Sequence, residues 1–374
     1  MLKILHTADW HLGHTSRQFE PTDCRKLARD RLTVIDEILG LAEQHDVGAV
    51  LCAGDLFDSK HPEEVWWRGL AEKFRSLRLL QWKRPIFLLP GNHDPLMRDS
   101  PYEEGSRFRE LLPDWVHVVD RDDYAFELGP DALLLAAPCR TTAGSDDLAL
   151  GLPARPLGDT RIRIGLVHGS TFEMPGYQTN FPIARDAGEQ RGLDYLAIGD
   201  THAFCQAAGS KVPTVYPSTP EATNFGESET GYVAIVSFTQ PARRVTIQKE
   251  RVGKWLWRDD KATSLAELRL LAALDLRRTV LRLELDLSVS VAELAEVEAI
   301  LALLQGTAAA HGRAGVCVVR RTRLQVDVSA AVIGQDAPDA IQVAAQQLHG
   351  FAAAGDTTAK QALVLLHRLY AENL

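Results

Sequence analysis

The sequence predicts an α/β chain in which a parallel sheet is covered on both faces by helices, with a second, smaller αβ unit after about residue 260. Three observations predict it. From Leu2 to Leu89, short apolar runs alternate with amphipathic stretches of helical period, the order strand, helix, strand, helix, strand. Each apolar run stops at a small group of Gly with Asp, Asn or His, the residues of a turn at a strand end. Beyond residue 260 the apolar residues turn to strict alternation, and Ala-rich helices close the chain.

Leu2-Lys3-Ile4-Leu5-His6-Thr7 is the first buried strand, and it ends in Asp9-Trp10-His11-Leu12-Gly13. Asp30 to Asp46 reads as an amphipathic helix, with Leu32, Ile35, Ile38, Leu39 and Ala42 on one face. Gly48 to Ala53 is a second strand, followed by Gly54-Asp55-Leu56-Phe57-Asp58. Pro62, Glu63 and Glu64 open a second helix that runs to about Leu80, since proline and acids suit a first helical turn. Trp66 and Trp67 are adjacent on it and cannot both face the same core. Pro85 to Leu89 is a third strand, ending in Pro90-Gly91-Asn92-His93-Asp94. After a surface loop from Asp146 to Asp159, strands at Arg161–Val167 and Leu193–Ile198 end in His168-Gly169 and Gly199-Asp200-Thr201-His202. Val212–Tyr216, Gly231–Phe238 and Arg243–Arg251 read as an antiparallel run. Trp255 to Ser264 reads as a polar hinge around Arg258-Asp259-Asp260-Lys261. Leu281, Leu283, Leu285, Leu287 and Val289 alternate with polar residues, a half-exposed strand. Val291 to about Ala310 is a helix, Val316 to Val328 a strand, and Pro338–Ala354 and Thr357–Glu372 are helices with Gly355 as the stop between them.

A chain of 374 residues has room for one large domain and a smaller one, each with its own core. No apolar stretch is long enough to span a membrane, and the N-terminus reads as a strand rather than a signal peptide. Five scattered cysteines without a Cys-x-x-Cys point to a reducing cytoplasm, not to a disulfide frame or zinc knuckle. A net charge of −9 counts against a general nucleic-acid coat protein, but not against an enzyme that reaches phosphates through metals and a local basic patch. In sheets of this kind ligands collect at the carboxyl ends of the strands. Asp9, His11, Asp55, Asn92, His93, His168, Asp200 and His202 all fall there. Carboxylate, imidazole and amide oxygen together suit manganese or iron, and two metals sharing one carboxylate need about this many ligands. His6, inside the first strand, reads as packed, and His14 and His61 read as solvated.

Asp-x-His, Gly-Asp, Gly-Asn-His-Asp, His-Gly and a final Gly-x-x-His, in that order, resemble the calcineurin-like metallophosphoesterase superfamily. Leu5 to Gly13 and Gly54 to Asp58 are similar to the SbcD and Mre-type DNA repair nucleases, as is Tyr216-Pro217-Ser218-Thr219-Pro220-Glu221 with Phe225-Gly226-Glu227. The resemblance implies a β-sandwich flanked by helices over residues 1–260, the nuclease domain, and a small αβ cap or partner-binding domain over 261–374. It implies two divalent cations, Mn2+ with Mg2+ as the alternative. Asp9, His11, Asp55 and His202 would hold one; Asp55, Asn92, His168 and Asp200 would hold the other. His93 would be the general acid, oriented by Asp94. It further implies DNA as substrate, an SbcC-type coiled-coil ATPase as partner, and a homodimer. One departure stands out: the family has Gly-His-x-His where this chain has Gly199-Asp200-Thr201-His202, and an anionic oxygen for a neutral nitrogen favours harder ions such as manganese or magnesium. Asp58 stands where some members carry histidine, so substrate contacts there can differ. Two rivals remain, a small-molecule phosphoesterase acting on a nucleotide or lipid headgroup, and a weakly catalytic scaffold of the ATPase. For DNA contact, Arg320, Arg321 and Arg323 are candidates on one strand of the C-terminal unit, with Arg277, Arg278 and Arg282 on another.

Overall fold

The computed structural model describes residues 1–171, 180–239, 243–306, 314–327 and 337–371. They divide into two compact units, Met1–Trp255 and Leu256–Leu374.

The first unit is a sandwich of two six-stranded sheets. In chain order its elements are β1 (Leu2–Thr7), α1 (Pro21–Gln44), β2 (Ala49–Cys52), α2 (Glu64–Ser76), β3 (Ile86–Leu88), α3 (Arg107–Leu111), β4 (Val116–Val118), β5 (Tyr124–Glu127), β6 (Ala132–Ala136), α4 (Leu148–Gly151), β7 (Ile162–His168), α5 (Ala187–Gln190), β8 (Tyr195–Gly199), β9 (Phe204–Gln206), β10 (Thr214–Pro217), β11 (Tyr232–Thr239) and β12 (Arg244–Arg251). One sheet has the order β12-β11-β1-β2-β3-β4, the other β5-β6-β7-β8-β10-β9. β1 to β4 are mutually parallel, as are β6, β7, β8 and β10.

Alternation along the strands decides which layer each residue joins. Ile4, Ala49, Leu51 and Phe87 of the first sheet meet Leu134, Ile164, Leu166, Tyr195 and Ala197 of the second in the middle layer. Their neighbours Leu5, Val50, Cys52, Ile86 and Leu88 turn outward onto Val34, Ile35 and Ile38 of α1 and Leu70, Ala71 and Phe74 of α2. On the far side Leu135, Val167, Leu196 and Ile198 pack against Ala149 and Ala187 of α4 and α5. Because both faces are buried, the strands read as continuous apolar runs. A fully buried Phe87 or Leu51 contributes about 1.5–3 kcal/mol, so the strands that end at the polar cluster rest on a rigid base.

Several boundaries differ from expectation. α1 begins at Pro21, well before Asp30. Its first turns bury only Ala28, so no apolar period marks them. α2 starts at Glu64 and passes into a 3-10 turn at Leu77–Leu80. The short strands β4, β5, β6 and β9 carry too few residues to show a period. The supposed antiparallel run is split between sheets. β10 lies parallel to β8 in the second sheet, while β11 and β12 pair antiparallel in the first, β11 beside β1. The chain between Pro217 and Tyr232 therefore crosses from one sheet to the other, over the end of β1. Trp66 and Trp67 are both half-buried against the outer cluster.

The second unit is a parallel three-stranded sheet, β13 (Leu256–Ala262), β14 (Leu276–Ser290) and β15 (Ala314–Asp327), with α6 (Leu265–Ala273), α7 (Val291–Gln305), α8 (Asp339–Ala353) and α9 (Thr357–Ala371). The expected hinge is instead the edge strand β13. Two of its charges pair across to β14, Asp259 with Arg282 and Lys261 with Asp286 at 2.7 Å, while Arg258 pairs with Asp260 along the strand at 2.9 Å. α6 was not legible ahead of β14. Leu281, Leu283, Leu285, Leu287 and Val289 form the buried face of β14, against Leu268, Val297, Leu301 and Leu304. A Ser290–Glu293 capping box starts α7, and Gly306 at φ +73° ends it. Ala310, Val328 and Glu372, the expected ends of a helix, a strand and a helix, lie outside the described residues. Of the arginines considered for DNA contact, Arg321 is paired to Glu298 at 2.8 Å, Arg277 to Asp275 at 2.7 Å, and Arg282 to Asp259.

Candidate metal centre

The carboxyl ends of β1, β2 and β3 in one sheet and β7 and β8 in the other open onto the same cluster. The turns after β1 and β2 are laced together: Asp9 N donates to Gly54 O at 3.0 Å, His11 N to Asp55 O at 2.9 Å and Leu12 N to Leu56 O at 2.8 Å. That path needs left-handed backbone at side-chain-bearing residues. Asp9 has φ +53°, His11 +44°, Asp55 +53° and Asp200 +102°. Such residues cost about 1–3 kcal/mol each and collect at functional sites. Two glycines make room. A Cβ on Gly54 (φ +92°) would lie 2.2 Å from His168 Nδ1, and one on Gly91 would lie 2.1 Å from Asp55 Oδ1.

Asp9, His11, Asp55 and His168 are buried, Asn92, Asp200 and His202 half-buried, and His93 exposed. Donor atoms of Asp9, His11 and His202 lie within 4.8 Å of one another, as do those of His11, Asp55 and His93, and of Asp9, Asp55 and His168. Asn92 Oδ1 is 2.7 Å from His168 Nε2. Asp200 reaches the same cluster, with Oδ1 3.9 Å from His168 Nε2 and its N–H donating to Asp9 Oδ1 at 3.0 Å.

Each imidazole is held from behind. His11 Nδ1 donates to Asp58 Oδ1 at 3.0 Å, His168 Nδ1 to Ala53 O at 2.8 Å, and His202 Nδ1 to Glu227 Oε1 at 2.9 Å. All three Nε2 atoms therefore face the cluster, the orientation of ligating histidines. His11 Nε2 and His202 Nε2 stand 3.0 Å apart. Two lone pairs do not sit at that distance without positive charge between them. Burial lowers the His11 pKa to about 4, which keeps it neutral. Burial works the same way on His202, but the bond to Glu227 and the charge of Asp9 raise it above its ordinary value. At His168, burial is likewise outweighed by Asp55, Asp9 and Asp200, which raise it well above the usual range. Burial also raises Asp9 to about 7, whereas at Asp55 the pull of His168 and His11 overcomes burial and holds the carboxyl well below the usual range. Three carboxylates, three inward imidazole nitrogens and an amide oxygen thus draw protons into a buried space. A donor set of this composition fits divalent cations.

Asp94 does not orient His93. Its Oδ1 accepts from Gly91 N at 2.9 Å, and its Oδ2 from Phe57 N at 2.9 Å and Tyr102 Oη at 2.5 Å, all in the core. It locks the turns after β2 and β3 together. His93 is set by its own N–H on Asp55 Oδ1 at 2.9 Å and by Nδ1 3.4 Å from Asp58 O. His14 is not solvated: Nδ1 is 3.2 Å from Asp58 Oδ1 and Nε2 3.1 Å from Thr223 O. His6 is packed, with Nδ1 3.0 Å from Tyr195 Oη, and His61 is exposed. The backing roles of Asp58, Thr223 and Glu227 were not legible. Thr223 and Glu227 belong to the segment that crosses between sheets, and no spacing in the sequence ties them to His202.

A family model described as calcineurin-like phosphoesterase matches residues 2–204, from β1 to just past His202. A stretch of 97 residues is 37% identical to the SbcD component of the SbcCD nuclease of Bacillus subtilis (strain 168), covering 25% of this chain and 22% of that protein. A stretch of 105 residues is 42% identical to the SbcD component of the same nuclease from Rhodobacter capsulatus, covering 26% of this chain and 22% of that protein. The chain thus matches about a fifth of the length of these curated relatives. A crystal structure of Vps29 from Entamoeba histolytica, complexed with zinc, is similar at 12% identity and a TM-score of 0.23, over 67% of this chain and 100% of that one.

Proposed function

The chain belongs to the calcineurin-like phosphoesterase family, and from that premise we propose that it is a two-metal nuclease of the SbcD type, hydrolysing phosphodiester bonds in DNA end processing and repair. Metal-dependent phosphoester hydrolysis is the chemistry of the family; DNA as the substrate is our reading. One observation supports it most: the His11 and His202 Nε2 atoms 3.0 Å apart, each backed by a carboxylate, beside the Asp9–Asp55–His168 group. In this reading Asp9, His11, Asp55 and His202 hold one cation, and Asp55, Asn92, His168 and Asp200 the other, manganese before magnesium. Bound there, the cations would acidify water and draw charge from the phosphate oxygens. His93, exposed at the mouth and anchored through its backbone, donates a proton to the leaving sugar oxygen as general acid. Asp94 and Tyr102 keep its turn in place from below.

The SbcD likeness supports an SbcC-type coiled-coil ATPase as partner, with the C-terminal unit as the partner-binding domain, and a homodimer. It also supports a cytoplasmic setting, with which the five free cysteines agree. No described helix is long and apolar enough to cross a membrane. A second reading, a small phosphodiester as substrate, is favoured by the carboxylate pairing of Arg277, Arg282 and Arg321, which weakens the basic surface DNA would need. One assay separates the two: labelled single- and double-stranded DNA against a panel of nucleotides, with manganese, magnesium or zinc. Manganese-dependent release of nucleotides from DNA is the expected result. Turnover of nucleotides alone would replace the nuclease reading with the second.

A further inference from the structure

Six residues close a ring behind one half of the cluster. Asp58 Oδ1 meets His11 Nδ1 at 3.0 Å and His14 Nδ1 at 3.2 Å. His14 Nε2 meets Thr223 O at 3.1 Å. Thr223 gives its N–H to Glu227 Oε2 at 2.9 Å and its hydroxyl to Glu227 Oε1 at 2.6 Å. Glu227 Oε1 takes the N–H of His202 Nδ1 at 2.9 Å, and His202 Nε2 returns to His11 at 3.0 Å. The ring joins the turn after β1, the turn after β2, the turn after β8 and the crossing segment, four stretches far apart in sequence. His14 is its one link between the two carboxylates that back the paired imidazoles. Both of its partner atoms are acceptors, so one ring nitrogen donates to one of them and the ring spans the two.

We infer that His14 is a positioning residue for the cation held by His11 and His202: it pins Asp58 onto His11 and fixes the crossing segment that carries Glu227. The inference rests on the metal-centre reading above. His14 itself ligates nothing, since both its nitrogens point at Asp58 and Thr223. Nor does it hold the crossing segment alone. The Arg31 guanidinium donates to Glu221 O at 2.8 Å and Ala222 O at 2.7 Å, and Thr219 Oγ1 to Asp9 O at 2.7 Å. Removing the imidazole therefore loosens the backing of two ligands and leaves the segment attached. Lost backing of ligating histidines weakens metal binding about 10–100-fold. Acting one step further out, His14 falls at the lower end, about tenfold.

The test is calorimetric titration of the full chain with Mn2+, for wild type, His14→Ala, His14→Gln, His202→Ala and the exposed-histidine control His61→Ala, with the thermal midpoint of each. The equivalent lost in His202→Ala identifies the site. His14→Ala is expected to bind that equivalent about tenfold more weakly, to keep the other, and to keep its thermal midpoint. His14→Gln, whose amide still donates to Asp58, recovers part of the loss. His14→Ala binding both equivalents like wild type would remove His14 from the centre while leaving the nuclease reading intact. Equal weakening of both equivalents with a lowered midpoint would make it a general fold contact and overturn the inference. Wild type taking up no Mn2+ would overturn the metal reading and this inference together.

Discussion

Gly54→Ala tests whether the turn after β2 and the ligand geometry are one object. At φ +92° an alanine carries backbone strain that glycine does not, about 1–3 kcal/mol. Its Cβ would also stand 2.2 Å from His168 Nδ1 and 2.6 Å from Cγ, inside any real contact distance. His168 is fully buried and held at both ends, by Ala53 O at 2.8 Å and Asn92 Oδ1 at 2.7 Å, so it cannot swing aside freely. Displacing it breaks those bonds and strands the Ala53 carbonyl, a further 1–3 kcal/mol or so. The sum, roughly 2–6 kcal/mol, is a large part of a typical domain's stability. Urea unfolding of the metal-free chain reads that loss, and Mn2+ titration reads the second consequence, loss of the equivalent that the proposed function assigns to His168. A variant within about 0.5 kcal/mol of wild type that still binds two equivalents would show that the turn relaxes around the methyl group, and the close approach of Gly54 to His168 would then constrain nothing.

His93→Ala should keep Mn2+ binding and lose turnover by roughly 10²–10⁴-fold, whereas Asp55→Ala should lose both. Near-normal hydrolysis by His93→Ala of a diester with a poor leaving group would refute the proton-donor role. His6 has its pKa lowered to about 3 by burial, so as pH falls the unfolded chain takes up the proton first. Its contribution to stability is complete above pH 6.5 and is lost from there down to about pH 3, at about 1.4 kcal/mol per unit. The stability of wild type relative to His6→Gln should therefore fall toward that slope as the pH drops from 7 to 5, and a pH-independent difference would place the titration elsewhere. Arg321→Ala should leave the salt dependence of DNA binding unchanged, because Glu298 already holds that guanidinium. A drop in slope of about 0.7–0.9 would mean that Arg321 leaves Glu298 for a phosphate.

The residues of the candidate centre were legible because they sit at strand ends. An apolar run followed by Gly with Asp, Asn or His is a local pattern, and Asp9, Asp55, Asn92, His168 and His202 need no partner in sequence to be noticed. The alternation in β14 placed Leu281 to Val289 on one face for the same reason, since the period of a strand is a local property. What the chain does not encode locally is which strands become neighbours and what stands behind a ligand. β10 and β11 have the same composition and spacing as any antiparallel pair. Only the packed sandwich puts them in different sheets and throws the crossing segment over β1, bringing Thr223 and Glu227 to His202. Asp94 is adjacent to His93 in sequence, yet the turn sends its carboxylate into the core to Tyr102 and Phe57, while Asp58, from another strand, meets His11 and His14. Arg321 and Arg282 read as part of a basic face until folding set Glu298 and Asp259 beside them. Hydrogen bonds and ion pairs are made through space at about 3 Å, so their partners are chosen by tertiary contact, whereas hydrophobic period and turn chemistry are written along the chain.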